Sequence, residues 1–228
     1  IARRQRKAPP NIEWPHVLVN DALEDYDMMA LQQLADCSAQ LAEGSGALMA
    51  VRPNYGTGIL PSLFGKDLFM MHRNADTLPS AMPLPHGKAD AQKIVQRGAP
   101  DVREALGRKA LEMGERFVEI MRDYPKVSRG VHIYHPDTQG PIDICELLLG
   151  SSLFMDLIDA PELVGSLLEL VTQTYIRFVE EWHTIAPPES EYAVHWAMLH
   201  PGRIIIRDDS AMNLSPDMFE EFIRPYDQ

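Results

Sequence analysis

An α/β fold built on a parallel sheet and closing as a barrel is what these 228 residues predict. Three observations carry the prediction. Short apolar, β-branched runs at 47–51, 129–135, 192–198 and 203–207 alternate with helical segments of about a dozen residues or more, the pattern of βαβ units. The runs 47–51, 129–135 and 203–207 stop at polar tips. The fingerprints of the other common α/β families are missing: no GxGxxG follows the first run, and neither GxxxxGK[ST] nor GxSxG occurs.

Taken in order, the chain opens with a basic arm, residues 1–10, that contains Arg3-Arg4-Gln5-Arg6-Lys7 ahead of Pro9-Pro10. A solvated terminal arm is the expectation for it. From Asp21 the apolar spacing is helical through Leu23, Tyr26, Met29, Leu34, Cys37 and Leu41, and Gly44 ends it. Ala47–Val51 reads as a buried strand that runs into Arg52-Pro53-Asn54-Tyr55-Gly56. The proline-rich stretch 65–98 is longer than the roughly 12–15 residues usual for a loop, so short helices or a cover over a site are expected there. Pro100-Asp101 opens a helix with an apolar stripe, which Tyr124-Pro125 closes.

The next strand, 129–135, breaks at His135-Pro136-Asp137-Thr138-Gln139-Gly140-Pro141, and a short helix runs to Gly150. Asp159 with Glu162 reads as the N-terminal box of a long helix that Pro187-Pro188 stops. Tyr192–Met198 reads as a further strand, and His200-Pro201-Gly202 as the turn into the most informative stretch, Gly202–Tyr226. Here Arg203–Arg207 is an apolar run ending at Asp208-Asp209-Ser210. Ser215-Pro216-Asp217 then starts a helix, with serine as N-cap and proline at the first position, where its missing N–H costs nothing. In a parallel sheet the C-terminal ends of strands are where chemistry is assembled.

Composition bounds the function. A hydrophobic fraction of 45% marks a globular chain, and a formal net charge of −12 argues against nucleic acid and anionic membranes as partners. Two distant cysteines, Cys37 and Cys145, make no disulfide framework, and no apolar run reaches the roughly 20 residues of a spanning helix, so a cytoplasmic protein is expected. The chain opens on Ile1 rather than Met and stops just past a helix, which suggests a single barrel domain over 1–228 that is incomplete at one or both ends.

Three stretches together resemble the superfamily of uroporphyrinogen decarboxylases and methylcobamide:coenzyme M methyltransferases. They are Asp137-x-Gln139-Gly140-Pro141-Ile142-Asp143 with Leu147-Leu148-Leu149-Gly150; Leu157-x-Asp159-x-Pro161-Glu162-Leu163-Val164; and Asn213-Leu214-Ser215-Pro216-x-x-Phe219-x-x-Phe222-x-x-Pro225-Tyr226. Leu60-Pro61-x-Leu63-Phe64-Gly65 fits a fourth region less closely. The resemblance implies a (β/α)8 TIM barrel with its site at the C-terminal strand ends. It implies a small-molecule substrate and either decarboxylation or methyl transfer. Porphyrinogen decarboxylation is disfavoured, because the position of the family's ring-binding aspartate falls at Tyr55-Gly56, that of its tyrosine at Leu147, and no arginine loop is evident. The methyltransferase branch implies zinc-activated thiol or corrinoid chemistry, with a corrinoid protein as partner. Its His-x-Cys and distal Cys zinc ligands would lie beyond Gln228, so no residue of this chain is assigned to metal. A ligand-binding barrel without catalysis is the alternative of a different class.

The candidate residues follow from the strand ends. Asp208 and Asp209 are candidates for catalysis, as a carboxylate pair able to move a proton or hold a cation, against loop solvation and helix capping. Asn54, Tyr55, Asp137, Gln139, Arg207 and His195 are candidates for substrate binding. For Asp137 and Gln139 the alternative is turn hydrogen bonding, for Arg207 an ion pair with Asp208, and for His195 a satisfied core position. With Arg207 as the only cation nearby in sequence, the site is expected to be polar and mildly acidic.

Overall fold

The computed structural model describes residues 12–44, 46–188, 191–196 and 198–228. The basic arm therefore lies outside the described residues. Helices α1 (Val19–Glu24) and α2 (Tyr26–Glu43) lead into strand β1 (Met49–Val51). A short helix α3 (Ile59–Leu63), strands β2 (Leu68–Phe69) and β3 (Ser80–Ala81), and helices α4 (Lys88–Arg97) and α5 (Ala105–Asp123) follow. Then come β4 (Val131–Ile133), α6 (Pro141–Leu149), α7 (Leu153–Asp159) and the long α8 (Pro161–Ile185). The chain finishes with β5 (Tyr192–His195), β6 (Met198–Pro201), α9 (Pro216–Phe222) and α10 (Arg224–Asp227).

The fold is mixed α/β, with many helices and short strands. β1 and β4 pair in parallel, Met49 opposite Val131 and Val51 opposite Ile133. The 79 residues between them, which include α5, form the crossover that parallel pairing requires. No closed barrel forms among the described residues. Two expected parallel strands are corrected. Residues 192–201 make an antiparallel hairpin, β5 with β6, His195 pairing with Met198 and Tyr192 with Pro201. Trp196 has φ +52°, the left-handed backbone that lets a two-residue connection reverse the chain. The turn thus falls at Trp196, not at His200-Pro201-Gly202. Residues 203–207 run extended but join no ladder. The Arg207 carbonyl accepts from the Gly140 amide at 2.6 Å, and Ile204 packs against the core.

Most helix punctuation follows the sequence. Gly44 ends α2 in the left-handed region, Gly150 ends α6, and the Ser215 hydroxyl accepts from the Met218 amide at 3.3 Å to cap α9. The single helix expected from Asp21 is split, because the Asp25 carboxylate caps a new start by accepting from the amides of Asp27 (2.8 Å) and Met28 (3.0 Å). The helix expected from Pro100-Asp101 begins only at Ala105. Asp159 closes α7 instead of capping α8, whose N-cap is Ala160. The core lies between α3, α5, α6 and α8 on one side and the β1–β4 pair on the other. Phe117, Phe178, Leu111, Met113 and Ile144 are fully buried there. A Cβ on Gly114 would lie 2.5 Å from the Trp182 ring, so α5 and α8 meet at a glycine because an indole occupies the space. This packed wall holds the C-terminal ends of β1 and β4 side by side.

Candidate functional site

Beyond Val51 and Ile133 both strands of the parallel pair give way to polar residues that stay inside. Positions 134–145 are buried without interruption, among them His135, Asp137, Thr138, Gln139 and Asp143. Burying an ionised carboxylate costs several kcal/mol, on the order of the whole stability margin, unless it is paired and hydrogen-bonded. Asp137 is. The Arg207 guanidinium donates to its Oδ1, and Gln139 Nε2 donates to the same oxygen at 2.6 Å. Arg52 Nη1 stands 3.4 Å from its Oδ2. Arg52 also donates from Nη2 to Asn54 Oδ1 at 3.2 Å. Asn54, Asp137, Gln139 and Arg207 are therefore brought together, and Arg52, unselected from the sequence, joins them.

Aromatic rings wall the two guanidiniums. The Arg207 Cζ lies 5.0 Å from the centroid of Trp196, and the Arg52 Cζ lies 6.0 Å from Trp196 and 5.8 Å from Tyr134. Burial lowers the pKa of both arginines, without threatening their charge. One carboxylate set between two guanidiniums leaves net positive charge. The expectation of a mildly acidic site is corrected, because Arg52 reaches it from the β1 end, far away in sequence. His195 also belongs here, its ring stacked 4.9 Å from His135 and 5.4 Å from Trp196. Burial pushes both imidazoles below their ordinary pKa, His135 to about 4.

The remaining candidates divide. Asp208 packs directly under Gly140; a Cβ there would lie 2.2 Å from Asp208 Oδ1, so only glycine allows the approach. Burial, reinforced by the neighbouring Asp227, pushes the Asp208 carboxyl up to about 8. The side chain of Asp209 is exposed, and its backbone N–H is what the fold uses. Asp143 of α6 accepts that amide at 2.9 Å and the Ser210 amide at 2.7 Å, while Ser210 Oγ donates to Glu146 at 3.1 Å. This holds the 209–213 turn against α6. Tyr55 is set apart from the cluster. It is core, its phenol pushed well above its ordinary pKa by burial, with Tyr26 and Glu112 as the nearest charged influences.

A cavity of about 380 Å³ opens beside the cluster, between β4, the end of α8 and the hairpin. Tyr134, His135, Trp182, Tyr192, Val194 and Leu199 are among its walls. Arg52, Tyr134, His135 and Trp196 were the residues that sequence reasoning did not select. Arg52 carried the one usable signal, as the first polar residue after a buried strand.

Among the described residues no three His, Cys, Asp or Glu side chains are grouped to hold a metal ion. Cys37 and Cys145 are buried, and burial pushes their thiols up, Cys37 to about 11, whereas a cysteine binds zinc as the thiolate.

No helix among the described residues is long and apolar enough to cross a membrane. No protein-family model matches the chain, and no curated protein does. Among solved structures the chain is similar to a methyltransferase from Methanosarcina mazei, with a TM-score of 0.63 at 19% sequence identity. The match covers 92% of this chain and 54% of that one, so the chain spans about half the length of the protein it resembles. At this identity the likeness is one of backbone fold.

Proposed function

We propose that this chain is part of a methyl-transferring enzyme whose small-molecule substrate is held at the C-terminal ends of β1 and β4, in a barrel of the uroporphyrinogen decarboxylase type. The observation that carries the reading is the buried Asp137 held between the half-buried Arg52 and Arg207 at those two strand ends, in a chain folded like a protein named as a methyltransferase. In an α/β architecture this is the end where substrates bind. Asp137 keeps the two guanidiniums fixed, and the N–H groups it leaves free are donors for a polar or anionic part of the substrate. Tyr134, which is buried, and Trp196, which is half exposed, flank the same space. The methyl group would come from a methylated donor such as a corrinoid protein.

Decarboxylation of a carboxylated substrate is the second reading, and the observation that favours it is the same pair of guanidiniums, able to receive a carboxylate. One experiment separates the two. Purified protein is mixed with methylcobalamin and a panel of small thiols, and the cobalamin spectrum is followed for demethylation. Methyl transfer predicts demethylation that is lost in Arg207→Ala. Release of carbon dioxide from carboxylic acid substrates, with methylcobalamin unchanged, would replace the first reading with the second.

A further inference from the structure

Two of the chain's eight histidines form a relay whose hydrogen positions can be deduced. His135 Nδ1 lies 2.8 Å from the Pro136 carbonyl oxygen. A carbonyl can only accept, so this nitrogen carries the hydrogen. His135 is buried, and its lowered pKa of about 4 keeps the ring neutral at pH 7, which leaves a lone pair on Nε2. His195 Nδ1 approaches that Nε2 at 3.3 Å and therefore must donate to it. His195 is kept neutral by burial and by Arg52. A neutral imidazole with its hydrogen on Nδ1 has a bare lone pair at Nε2. That atom is buried, in a residue only 2% exposed, and has no hydrogen-bond partner among the described residues.

His200, the other imidazole on this hairpin, cannot supply the missing donor. His200 pairs opposite Ala193 and so shares a face of the hairpin with His195. Its Nδ1 lies 3.1 Å from the Pro201 carbonyl, which fixes the same tautomer and leaves its own Nε2 bare. Buried polar atoms are almost always satisfied, and one that the fold leaves open beside a candidate site calls for an external donor. His195 stacks on Trp196, and Trp196 lies against Arg207 and Arg52, so the open acceptor adjoins the guanidinium pair.

We propose that His195 Nε2 is a hydrogen-bond acceptor reserved for an O–H, N–H or S–H group of the bound small molecule, and that the Pro136–His135–His195 relay fixes the tautomer that makes it one. His195 is then a specificity-determining residue and His135 a positioning residue. The inference rests on the reading of these strand ends as the substrate site. A site built around an open acceptor rejects a ligand that lacks the donor, because the acceptor then stays unpaired.

The test uses protein labelled with 15N-histidine and two small acids that differ by one methyl group, glycolate and methoxyacetate. Long-range 1H–15N spectra at pH 7 are expected to show both rings as the Nδ1–H tautomer. Glycolate is expected to bind at least about tenfold more tightly than methoxyacetate and to move the His195 Nε2 resonance. In His195→Phe the two acids should bind alike, and in His135→Phe the spectrum should show mixed tautomers at His195. A hydrogen on His195 Nε2 in the wild-type spectrum overturns the proposal, whether or not the variants fold. Equal affinity of wild type for the two acids overturns it while leaving the site reading intact. Failure of both acids to bind, with spectra unchanged in Arg207→Ala, overturns the site reading and this inference with it.

Discussion

Asp208 occupies a position where an ionised carboxylate is expensive, and replacing it with asparagine should stabilise the protein at alkaline pH. Among the described residues no donor reaches its buried Oδ2 or the buried Oδ1 of Asp227. Its other oxygen accepts from the Asp143 amide, at 3.4 Å. Two carboxyls so placed share a proton. Burial, with Asp227 second, raises Asp208 to about 8, whereas an aspartate in an unfolded chain titrates near about 3.9. The folded protein therefore keeps a proton that the unfolded chain has given up. The associated stability is complete below about pH 4 and is lost as pH rises toward about 8. Each pH unit in that interval removes up to about 1.4 kcal/mol, so the whole is worth a few kcal/mol. Asp208→Asn offers Asp227 a permanent N–H donor in nearly the same shape. At about 2–4 °C per kcal/mol for a domain of this size, the variant should melt on the order of 5–10 °C above wild type at pH 8. The difference should vanish near pH 4. Circular dichroism melts of both proteins from pH 4 to 9 are the assay. Parallel profiles, or a variant that melts lower at pH 8, would mean that Asp208 is ionised in the fold.

Four further expectations can be checked by denaturation. Gly140→Ala places a methyl 2.2 Å from Asp208 Oδ1 and should cost about 1–3 kcal/mol, recovered in part by adding Asp208→Gly. Arg207→Met strips Asp137 of its closest cation and should cost about 3 kcal/mol in urea titration, whereas Arg207→Met with Asp137→Leu should cost much less. Ser215→Ala removes the α9 cap and should cost about 1 kcal/mol in a thermal melt. Asp209→Ala should change stability by less than about 0.5 kcal/mol, because that side chain is exposed and only its amide is used; a larger loss would show a structural contact for the carboxylate.

The sequence made legible what depends on local chemistry. The Ser215-Pro216 start of α9, the Gly44 and Gly150 helix ends and the strands β1 and β4 each rest on a few adjacent residues whose conformational preferences agree. The hairpin was missed because Tyr192–Pro201 carries none of the usual glycine or asparagine at its reversal; Trp196 takes the left-handed conformation instead. Residues 203–207 have the composition of a buried strand, but a strand also needs a neighbour to pair with, and composition cannot supply one. At the site, Asp137, Gln139 and Arg207 were found because they follow apolar runs. The charge balance was misjudged because Arg52 and Arg207 are distant in sequence and meet at Asp137 and Trp196 only in the fold. His135 was passed over as the last residue of a strand, and nothing local announces that its ring meets His195, 60 positions on.

The measurement that bears most directly on the account is kcat/KM for methylcobalamin demethylation in Arg52→Lys and Arg207→Lys, each compared with wild type at matched melting temperature. Lysine keeps the charge but loses the planar fork that Asp137 holds in place. The account predicts a loss of tenfold to a hundredfold in both variants, about 1.4–2.7 kcal/mol of transition-state stabilisation. Rates equal to wild type in both would place the substrate elsewhere and contradict it.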